Sequence, residues 1–259
     1  MSDHASFLQD GERLDELLIG GWKIIQHAEV FCFGMDAVLL AHFATVKSGV
    51  RAVDLGTGTG AIAFLLAARG AAHVAALELH PRLADMARRS STLNELADIV
   101  QVVEADYRAL SGILPAGESQ LVVANPPYRP LGQGYLNRET PVASACHELT
   151  ATLTDVVNSA AWLLGDRGRF AMVHRADRLC DVIAALREAS LEPKRLRFVQ
   201  SRENVAPKLL LIEGIRSGKP GLAVEPPLII YDAAGEYSEE IRSYYRQEPV
   251  LYKGKGGGR

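Results

Sequence analysis

The sequence Asn-Pro-Pro-Tyr at residues 125–128 could hold a planar amino group. Consecutive prolines fix the backbone and lack N–H donors, and a following proline favours an extended conformation at Asn125. The Asn125 side-chain oxygen and the Pro126 carbonyl can then accept both hydrogens of an NH₂ group, and the Tyr128 ring can stack on the ring that carries it. These two hydrogen bonds would orient the amino group so that its nitrogen lone pair points at an electrophile. We assign Asn125, Pro126, Pro127 and Tyr128 to catalysis; a proline-rich turn that merely ends a strand is the alternative.

A glycine-rich turn, DLGTGTG, occupies residues 54–60, where a strand-like apolar segment meets a helix-like one. Gly56, Gly58 and Gly60 permit a sharp turn, and they let a ligand approach the backbone and the first N–H groups of the helix. The turn predicts a cofactor site at the carboxyl end of the first strand of a parallel sheet. The same letters fit the dinucleotide fingerprint GxGxxA from Gly56 to Ala61, so the turn alone leaves the cofactor open.

Acidic residues end the next two predicted strands. Glu78 has two carboxylate oxygens that suit the two hydroxyls of a ribose, and Asp106 could accept the amino group of an adenine. Each acid alone could equally cap a helix or lie in a solvated loop. Their positions at successive strand ends beside the glycine turn favour a cofactor role, and we assign Asp54 and Leu79 to the same site.

The segment AEVFCFGMDAVLLAHFA, residues 28–44, places one acid among aromatic side chains ahead of the glycine turn. Apolar residues after Asp36 recur at helical spacing and predict a helix that packs at the cofactor crevice. Two interpretations stay open. Asp36 is either the N-cap of this helix, or it lines the cofactor pocket together with Phe31 and Phe33.

Strand-like and helix-like segments alternate from residue 51 onward, and one predicted helix covers residues 153–168. This alternation predicts an α/β fold with a Rossmann-like, doubly wound, seven-stranded and mostly parallel sheet. Too few residues separate the last two strands for a helical crossover, so the last strand is predicted to be antiparallel.

Composition narrows the class of protein. The chain has 259 residues, 48% hydrophobic and 23% charged, which is typical of a globular protein. Because no apolar run approaches roughly 18 residues and the N-terminus is polar and acidic, we expect a cytoplasmic protein without a membrane partner. The three cysteines form no CxxC pair, and His147 and Glu148 lack the second histidine of a metal motif, so neither a disulfide framework nor a metal is predicted.

Basic residues are concentrated in the second half of the chain. The net charge of −3 argues against a protein that coats nucleic acids without specificity. Lysine and arginine nevertheless outnumber aspartate and glutamate after residue 125. A basic surface from residues 187–219 and the C-terminal tail YKGKGGGR could meet the phosphates of a nucleic acid. For any single residue, a solvated charge at a helix or strand end is the alternative.

In this order, DLGTGTG, Glu78, Asp106 and NPPY resemble the class I S-adenosylmethionine-dependent methyltransferases that act on amino groups. The resemblance implies S-adenosyl-L-methionine as cofactor, with the glycines near its methionine part, Glu78 on its ribose and Asp106 near its adenine. FGMDAVLLAHFA, CHEL and GRFAMVHRADRL are further similar to the bacterial tRNA1(Val) (adenine-N6)-methyltransferase group. That similarity implies methylation of the exocyclic amine of an anticodon-loop adenosine, with tRNA as partner.

With this resemblance, residues 51–216 are expected to form the methyltransferase core. Residues 1–50 are expected to form an N-terminal segment whose helix packs at the cofactor crevice, and residues 217–259 a C-terminal extension with a flexible tail. The segment RPLGQGYLNRET, residues 129–140, is interpreted as a mobile lid or as an ordinary loop.

Other functions stay open from the sequence. NPPY also occurs in enzymes that methylate a guanine amine of rRNA or a glutamine amide of release factors, although the residues before the first strand leave no room for the helical recognition domain of the latter. An NAD-dependent oxidoreductase would leave NPPY unexplained. A non-catalytic RNA-binding module would leave the cofactor acids without a role. The oligomeric state also stays open.

Overall fold

The structure of the chain is a computed structural model, which describes residues 4–17, 19–30, 32–127 and 151–253. The strands in this part are β1 Glu12–Glu16, β2 Lys23–His27, β3 Arg51–Leu55, β4 His73–Glu78, β5 Val100–Glu104, β6 Ser119–Ala124, β7 Leu164–Arg175, β8 Leu191–Gln200, β9 Leu209–Arg216 and β10 Ala223–Ile229. The α-helices are α1 Met35–Phe43, α2 Ala61–Ala68, α3 Pro81–Leu93, α4 Leu153–Leu163, α5 Leu179–Glu188 and α6 Glu239–Tyr245.

A central sheet has the strand order β10-β8-β9-β7-β6-β3-β4-β5. Its strands are parallel except β9, which pairs antiparallel with both β7 and β8. The predicted doubly wound α/β fold is therefore confirmed, including the antiparallel strand made by residues 209–216. The sheet has eight strands rather than seven, because β10 pairs parallel to β8. Pro226 and Pro227 lie at the register shift of β10, and proline is tolerated there because β10 is an edge strand.

Helices cover both faces of this sheet. Buried residues of α1 and α2 share one core cluster with side chains of the central strands, including Ala52, Val74 and Val123. Buried residues of α4 and α5 share a second cluster with the alternate side chains of the same strands, including Val53 and Val122. The strands are thus apolar on both sides, as a sheet between two helical layers requires.

Helix α4 is shorter than the sequence predicts. A capping box between Thr152 and Asp155 starts it, but it ends at Leu163, and β7 begins at the next residue. The prediction of helix as far as residue 168 is wrong because the backbone here approaches a distant loop. A Cβ on Gly165 would lie 2.8 Å from the Gly117 carbonyl oxygen, so the chain lies against that loop in an extended conformation.

An antiparallel hairpin of β1 and β2 packs on α3 and is an element that the sequence analysis missed. Arg89 of α3 donates to Glu12 at 2.7 Å, and the Glu12 side chain is fully buried. The Ser90 hydroxyl accepts a hydrogen bond from the Ile25 N–H at 2.9 Å. These contacts attach the hairpin to α3.

Charged side chains fix the C-terminal end of α1. Arg195 donates to the Phe43 carbonyl at 3.1 Å, and its guanidinium lies 4.4 Å from the centre of the Phe43 ring. The buried Glu213 of β9 accepts from the Thr45 N–H at 2.8 Å and from Arg169 at 2.6 Å. Cations at the end of a helix interact favourably with its free carbonyls. Helix α1 is thereby anchored to β7, β8 and β9.

Candidate active site at the carboxyl edge of the sheet

The strand register aligns three predicted site residues at one edge of the sheet. Leu55 of β3 pairs with Leu77 of β4 and with Ala124 of β6. Because the three strands are parallel, the residues that directly follow Leu55, Leu77 and Ala124 lie side by side across the sheet at its carboxyl edge. They are Gly56, Glu78 and Asn125.

The side chains of Asp54 and Glu78 point to the same face of the sheet. Alternate residues of a strand point to opposite sides, and Ala52 and Ala76 belong to the core cluster of α1 and α2. Asp54 and Glu78, two positions further along β3 and β4, therefore point to that same side. The acids lie under and beside the glycine turn rather than on opposite faces of the sheet.

The glycine turn adopts a conformation that side chains would strain. Gly56, Gly58 and Gly60 have φ values of +71°, +60° and +99°. A Cβ on Gly60 would in addition lie 2.7 Å from the Phe64 ring. The Thr57 N–H donates to the Leu77 carbonyl at 2.8 Å, which ties the turn to β4. Gly60 is the N-cap of α2, so the free N–H groups of that helix begin at the turn.

Glu78 links the turn to the next strand and helix. Its Oε2 accepts from the Gly58 N–H and its Oε1 accepts from the His80 N–H, both at 2.8 Å. The residue is 8% exposed. A carboxylate has about four acceptor positions, so two of them remain for the hydroxyls of a ligand.

Asp54 is a buried acid below the turn. Its Oδ2 accepts from the Thr57 hydroxyl at 2.6 Å, whereas its Oδ1 has no hydrogen-bond partner among the described residues. Burial raises the pKa of Asp54 to about 7, the Thr57 hydrogen bond lowers it and the Glu78 carboxylate raises it. The Thr59 hydroxyl is likewise buried without a partner in this part of the chain. Two polar atoms of the turn are thus left for a polar ligand to satisfy.

Asp106 follows the end of β5 and is paired with a neighbour. Arg108 Nη2 lies 2.6 Å from its Oδ2, and the Arg108 N–H donates to its Oδ1 at 2.8 Å. The hydrogen bond with the Arg108 side chain holds the pKa of Asp106 below its usual value. The carboxylate is therefore an ionised acceptor whose position is fixed by Arg108.

Tyr107 is a residue of this edge that the sequence analysis missed. Its Cε1 atom lies 3.8 Å from the position that a Cβ on Gly56 would take, so the ring lies over the glycine turn. Burial raises the pKa of the Tyr107 hydroxyl to about 12, so it is protonated near neutral pH. An aromatic residue directly after the acid at a strand end is the signal that could have identified it.

The structure describes the first three residues of the NPPY motif, Asn125, Pro126 and Pro127. Asn125 is partly exposed, Pro126 is buried and Pro127 is exposed. Because Ala124 pairs with Met172 of β7, His174 comes to the same edge beside Pro126. Burial lowers the pKa of His174, and Arg178 acts in the same direction. Tyr128, the segment 129–140 and CHEL lie outside the described residues.

Asp36 does not cap α1. The helix begins at Met35 with Gly34 as its N-cap, so the interpretation of Asp36 as N-cap is wrong. Asp36 occupies the first turn instead, where a negative charge interacts favourably with the helix N-terminus. Phe33 packs against the core cluster of α1 and α2, and Phe31 lies outside the described residues.

The described residues contain no group of three or more histidine, cysteine, aspartate or glutamate side chains that could hold a metal ion. Within the same ranges, no helix is long and apolar enough to cross a membrane.

Comparison with known proteins identifies the family. Residues 21–189 match the family model of the methyltransferase small domain, which covers more than half of the chain. The chain belongs to this methyltransferase family. It is an S-adenosyl-L-methionine-dependent methyltransferase, which confirms the predicted enzyme class and cofactor.

Curated relatives of this methyltransferase are bacterial tRNA enzymes. It is 31% identical over 217 residues to the tRNA1(Val) (adenine(37)-N6)-methyltransferase of Porphyromonas gingivalis, a match that covers 80% of this chain and 84% of that protein. It is 32% identical over 182 residues to the enzyme of the same name from Parabacteroides distasonis, covering 70% of this chain and 75% of the relative.

Solved structures show the same fold. A predicted O-methyltransferase from Agrobacterium tumefaciens superposes with a TM-score of 0.66 at 22% identity, covering 84% of this chain and all of that chain. Geranyl diphosphate C-methyltransferase from Streptomyces coelicolor A3(2), in complex with S-adenosyl-L-homocysteine, superposes with a TM-score of 0.53 at 12% identity. That match covers 70% of this chain and 77% of the other. Their acceptors differ, so the fold alone leaves the acceptor of this methyltransferase open.

Proposed function

We propose that this methyltransferase transfers a methyl group from S-adenosyl-L-methionine to the exocyclic amine of an adenine in RNA, namely an anticodon-loop adenosine of tRNA. The register that aligns Gly56, Glu78 and Asn125 supports this proposal, since it sets the glycine turn beside the start of the NPPY motif. The names of the relatives, which are about 30% identical, support adenine in tRNA as the acceptor. With tRNA as the substrate, we propose that the reaction takes place in the cytoplasm.

The residues of the turn fit the methionine part of the cofactor. Positive φ values bring the backbone of Gly56 and Gly58 close to any ligand above it, and the buried Asp54 Oδ1 and Thr59 hydroxyl need polar partners. The amino and carboxylate groups of methionine can supply such partners. Asp54 and the turn would then bind and orient this end of the cofactor.

The nucleoside part of the cofactor would lie along the ends of β4 and β5. Glu78 would accept hydrogen bonds from the ribose hydroxyls while it retains its contacts with Gly58 and His80. Leu79 would pack beside the nucleoside, and Asp106, held by Arg108, would accept from the adenine amine. The placement of Asp36 at this pocket stays a proposal.

The acceptor amine would be bound by the NPPY motif. The Asn125 side-chain oxygen and the Pro126 carbonyl accept its two hydrogens, Pro127 keeps the backbone rigid and Tyr128 stacks on the base. When bound, the cofactor supplies an electrophilic methyl group whose bond to sulfur breaks as the new N–C bond forms. The bond electrons would stay on sulfur, and the methylated nitrogen would lose its proton to water. Positioning within roughly 3–3.5 Å provides most of the catalysis in this scheme.

A guanine amine of rRNA and a protein glutamine amide present the same NH₂ group and are the alternative acceptors. Neither is named in the relatives described above. The hypothesis of an NAD-dependent oxidoreductase loses its support, because the chain belongs to a methyltransferase family.

We also propose that the chain is divided into an N-terminal segment of residues 1–50, a methyltransferase core of residues 51–216 and a C-terminal extension of residues 217–259.

The distribution of a labelled methyl group tests this proposal. Purified protein and S-adenosylmethionine labelled in the methyl group are incubated separately with tRNA, rRNA and protein from a strain that lacks the enzyme. We expect label in tRNA alone. Label in rRNA, in protein or in none of the three fractions would overturn the proposed substrate.

A further inference from the structure

The basic stretch of residues 187–219 divides between two opposite edges of the sheet. Strands β8 and β9 run antiparallel, so their connection lies at one edge and their far ends at the other. The connecting loop lies at the carboxyl edge, because Arg175 at the end of β7 pairs with Leu209. Arg202 and Lys208 belong to this loop and share the edge with Asn125. Lys194 and Lys219 lie towards the opposite edge, where the Lys194 ammonium donates to the Lys219 carbonyl at 3.1 Å.

Most arginines of this stretch make contacts within the protein. Arg195 binds Glu225 at 2.6 Å in addition to the end of α1, Arg197 binds Glu240 of α6 at 2.7 Å, and Arg216 donates to carbonyls at the end of α4. Arg202 and Lys208 are exposed, and their side chains make no ion pair or hydrogen bond with another described residue. Their charges are therefore available for a partner at the carboxyl edge.

Tyrosine rings of the C-terminal extension lie near the loop that carries these two cations. The Tyr231 N–H donates to the Ser201 carbonyl at 2.9 Å, which places the end of β10 beside the loop. The rings of Tyr231 and Tyr237 are stacked with centroids 5.4 Å apart, and Tyr245 lies 6.0 Å from Tyr237. Tyr237 is 38% exposed, so part of its ring is open to solvent.

Two acidic residues near the rings, Asp232 and Glu239, have partners within the protein. Asp232 accepts from the N–H groups of the turn at residues 234–236 and lies 3.6 Å from Arg242. Glu239 pairs with Arg242 at 3.1 Å. Glu203 and Glu236 are exposed, have no ion pair with a described residue and are repulsive charges for any anion at this place.

We propose that Tyr237, Arg202 and Lys208 form a docking surface for the single-stranded nucleotides that flank the target adenosine. The NPPY motif follows β6, and β6 is four strand spacings, or roughly 19 Å, from β10. A short single-stranded segment of RNA can span this distance. Aromatic faces stack on unpaired bases and free cations bind the phosphates between them, a combination that suits single-stranded RNA. This inference rests on the proposed function, since it assigns the RNA around the methylated base.

Steady-state kinetics on tRNA at several salt concentrations test the surface. We expect the double variant Arg202→Ala/Lys208→Ala to raise KM for tRNA about tenfold, with kcat retained and the salt dependence weakened. Tyr237→Ala should raise KM by a similar factor through lost stacking. Glu203→Gln should lower KM at low salt. The control Lys194→Ala/Lys219→Ala removes two charges near the opposite edge and should leave KM within about twofold.

S-adenosylmethionine affinity and the melting temperature should stay unchanged in Arg202→Ala/Lys208→Ala, which excludes a folding defect. If the wild type methylates tRNA but this variant and its control have the same KM, the docking surface is wrong while the proposed function stands. If the wild type transfers no methyl group to tRNA, the proposed function and the docking surface are both overturned.

Discussion

The Glu78 carboxylate accepts a hydrogen bond from the Gly58 N–H at 2.8 Å, which joins the end of β4 to the glycine turn. The same carboxylate accepts from the His80 N–H just before α3. Glu78 therefore shapes the turn in addition to its proposed role as an acceptor for the ribose hydroxyls. Its substitution should affect the cofactor site through both roles.

Glu78→Gln is expected to weaken S-adenosylmethionine binding at least tenfold in calorimetry. The amide presents an NH₂ group to one of the two backbone N–H donors, so a charge-assisted hydrogen bond is lost. Glu104→Gln is the matched control, because Glu104 pairs with Glu78 in the sheet but has a 44% exposed side chain near Arg88. Equal affinities for the two variants would contradict the role of Glu78.

Asn125→Ala is expected to retain cofactor affinity and to lower kcat roughly a hundredfold, because one of two acceptors that orient the amine is removed. Asn158→Ala, on the exposed side of α4, provides the control. Single-turnover methyl transfer and calorimetry measure the two effects separately. Unchanged turnover in Asn125→Ala would remove NPPY from the reaction.

Asp54 should make stability depend on pH. Its pKa of about 7 in the folded protein lies above the unfolded value near 4, so the folded state holds more protons between these values. Stability from this group is greatest below pH 4 and is lost as the pH rises to about 7. Relative to Asp54→Asn, the cofactor-free wild type should lose about 3 kcal/mol of unfolding free energy between pH 5 and pH 8.

Denaturant unfolding at pH 5 and pH 8 measures this difference. Asp98→Asn, at an exposed position, serves as the control and should show no such change relative to the wild type. A pH-independent difference between the wild type and Asp54→Asn would show that Asp54 is ionised throughout this range.

Glu213→Ala should destabilise the fold by about 4 kcal/mol, because it leaves the Arg169 cation without its buried partner and removes the anchor of Thr45. Glu225→Ala removes a partly exposed partner of Arg195 and should cost about 1 kcal/mol or less. Chemical denaturation of both variants provides the comparison. Similar losses would mean that α1 is not held through Glu213.

Local sequence patterns predict which strands meet at the carboxyl edge of the sheet. Apolar runs that end at Leu55, Glu78 and Ala124 identify three strands, and parallel pairing then brings their ends together. The antiparallel position of β9 follows from the short connection before it. These features depend on residues near one another in the chain, which is why they can be recognised without the structure.

Features that depend on distant contacts were missed. The close approach of Gly165 to Gly117 ends α4 early, and the contact of Tyr107 with Gly56 joins separate strand ends. The place of β10 at the edge of the central sheet, where its proline pair is tolerated, depends on its pairing with the distant β8. The polar β1 sequence ERLDE becomes a strand through its pairing with β2 and the contact of Glu12 with Arg89.

The identity of the methylated nucleoside tests the proposed reaction most directly. Unmodified tRNA is incubated with isotopically labelled S-adenosylmethionine and either the wild type or Asn125→Ala, then digested to nucleosides for mass spectrometry. We expect labelled N6-methyladenosine with the wild type and only a trace with the variant. Label in a methylated guanosine, or no labelled nucleoside with the wild type, would contradict methyl transfer to an adenine amine.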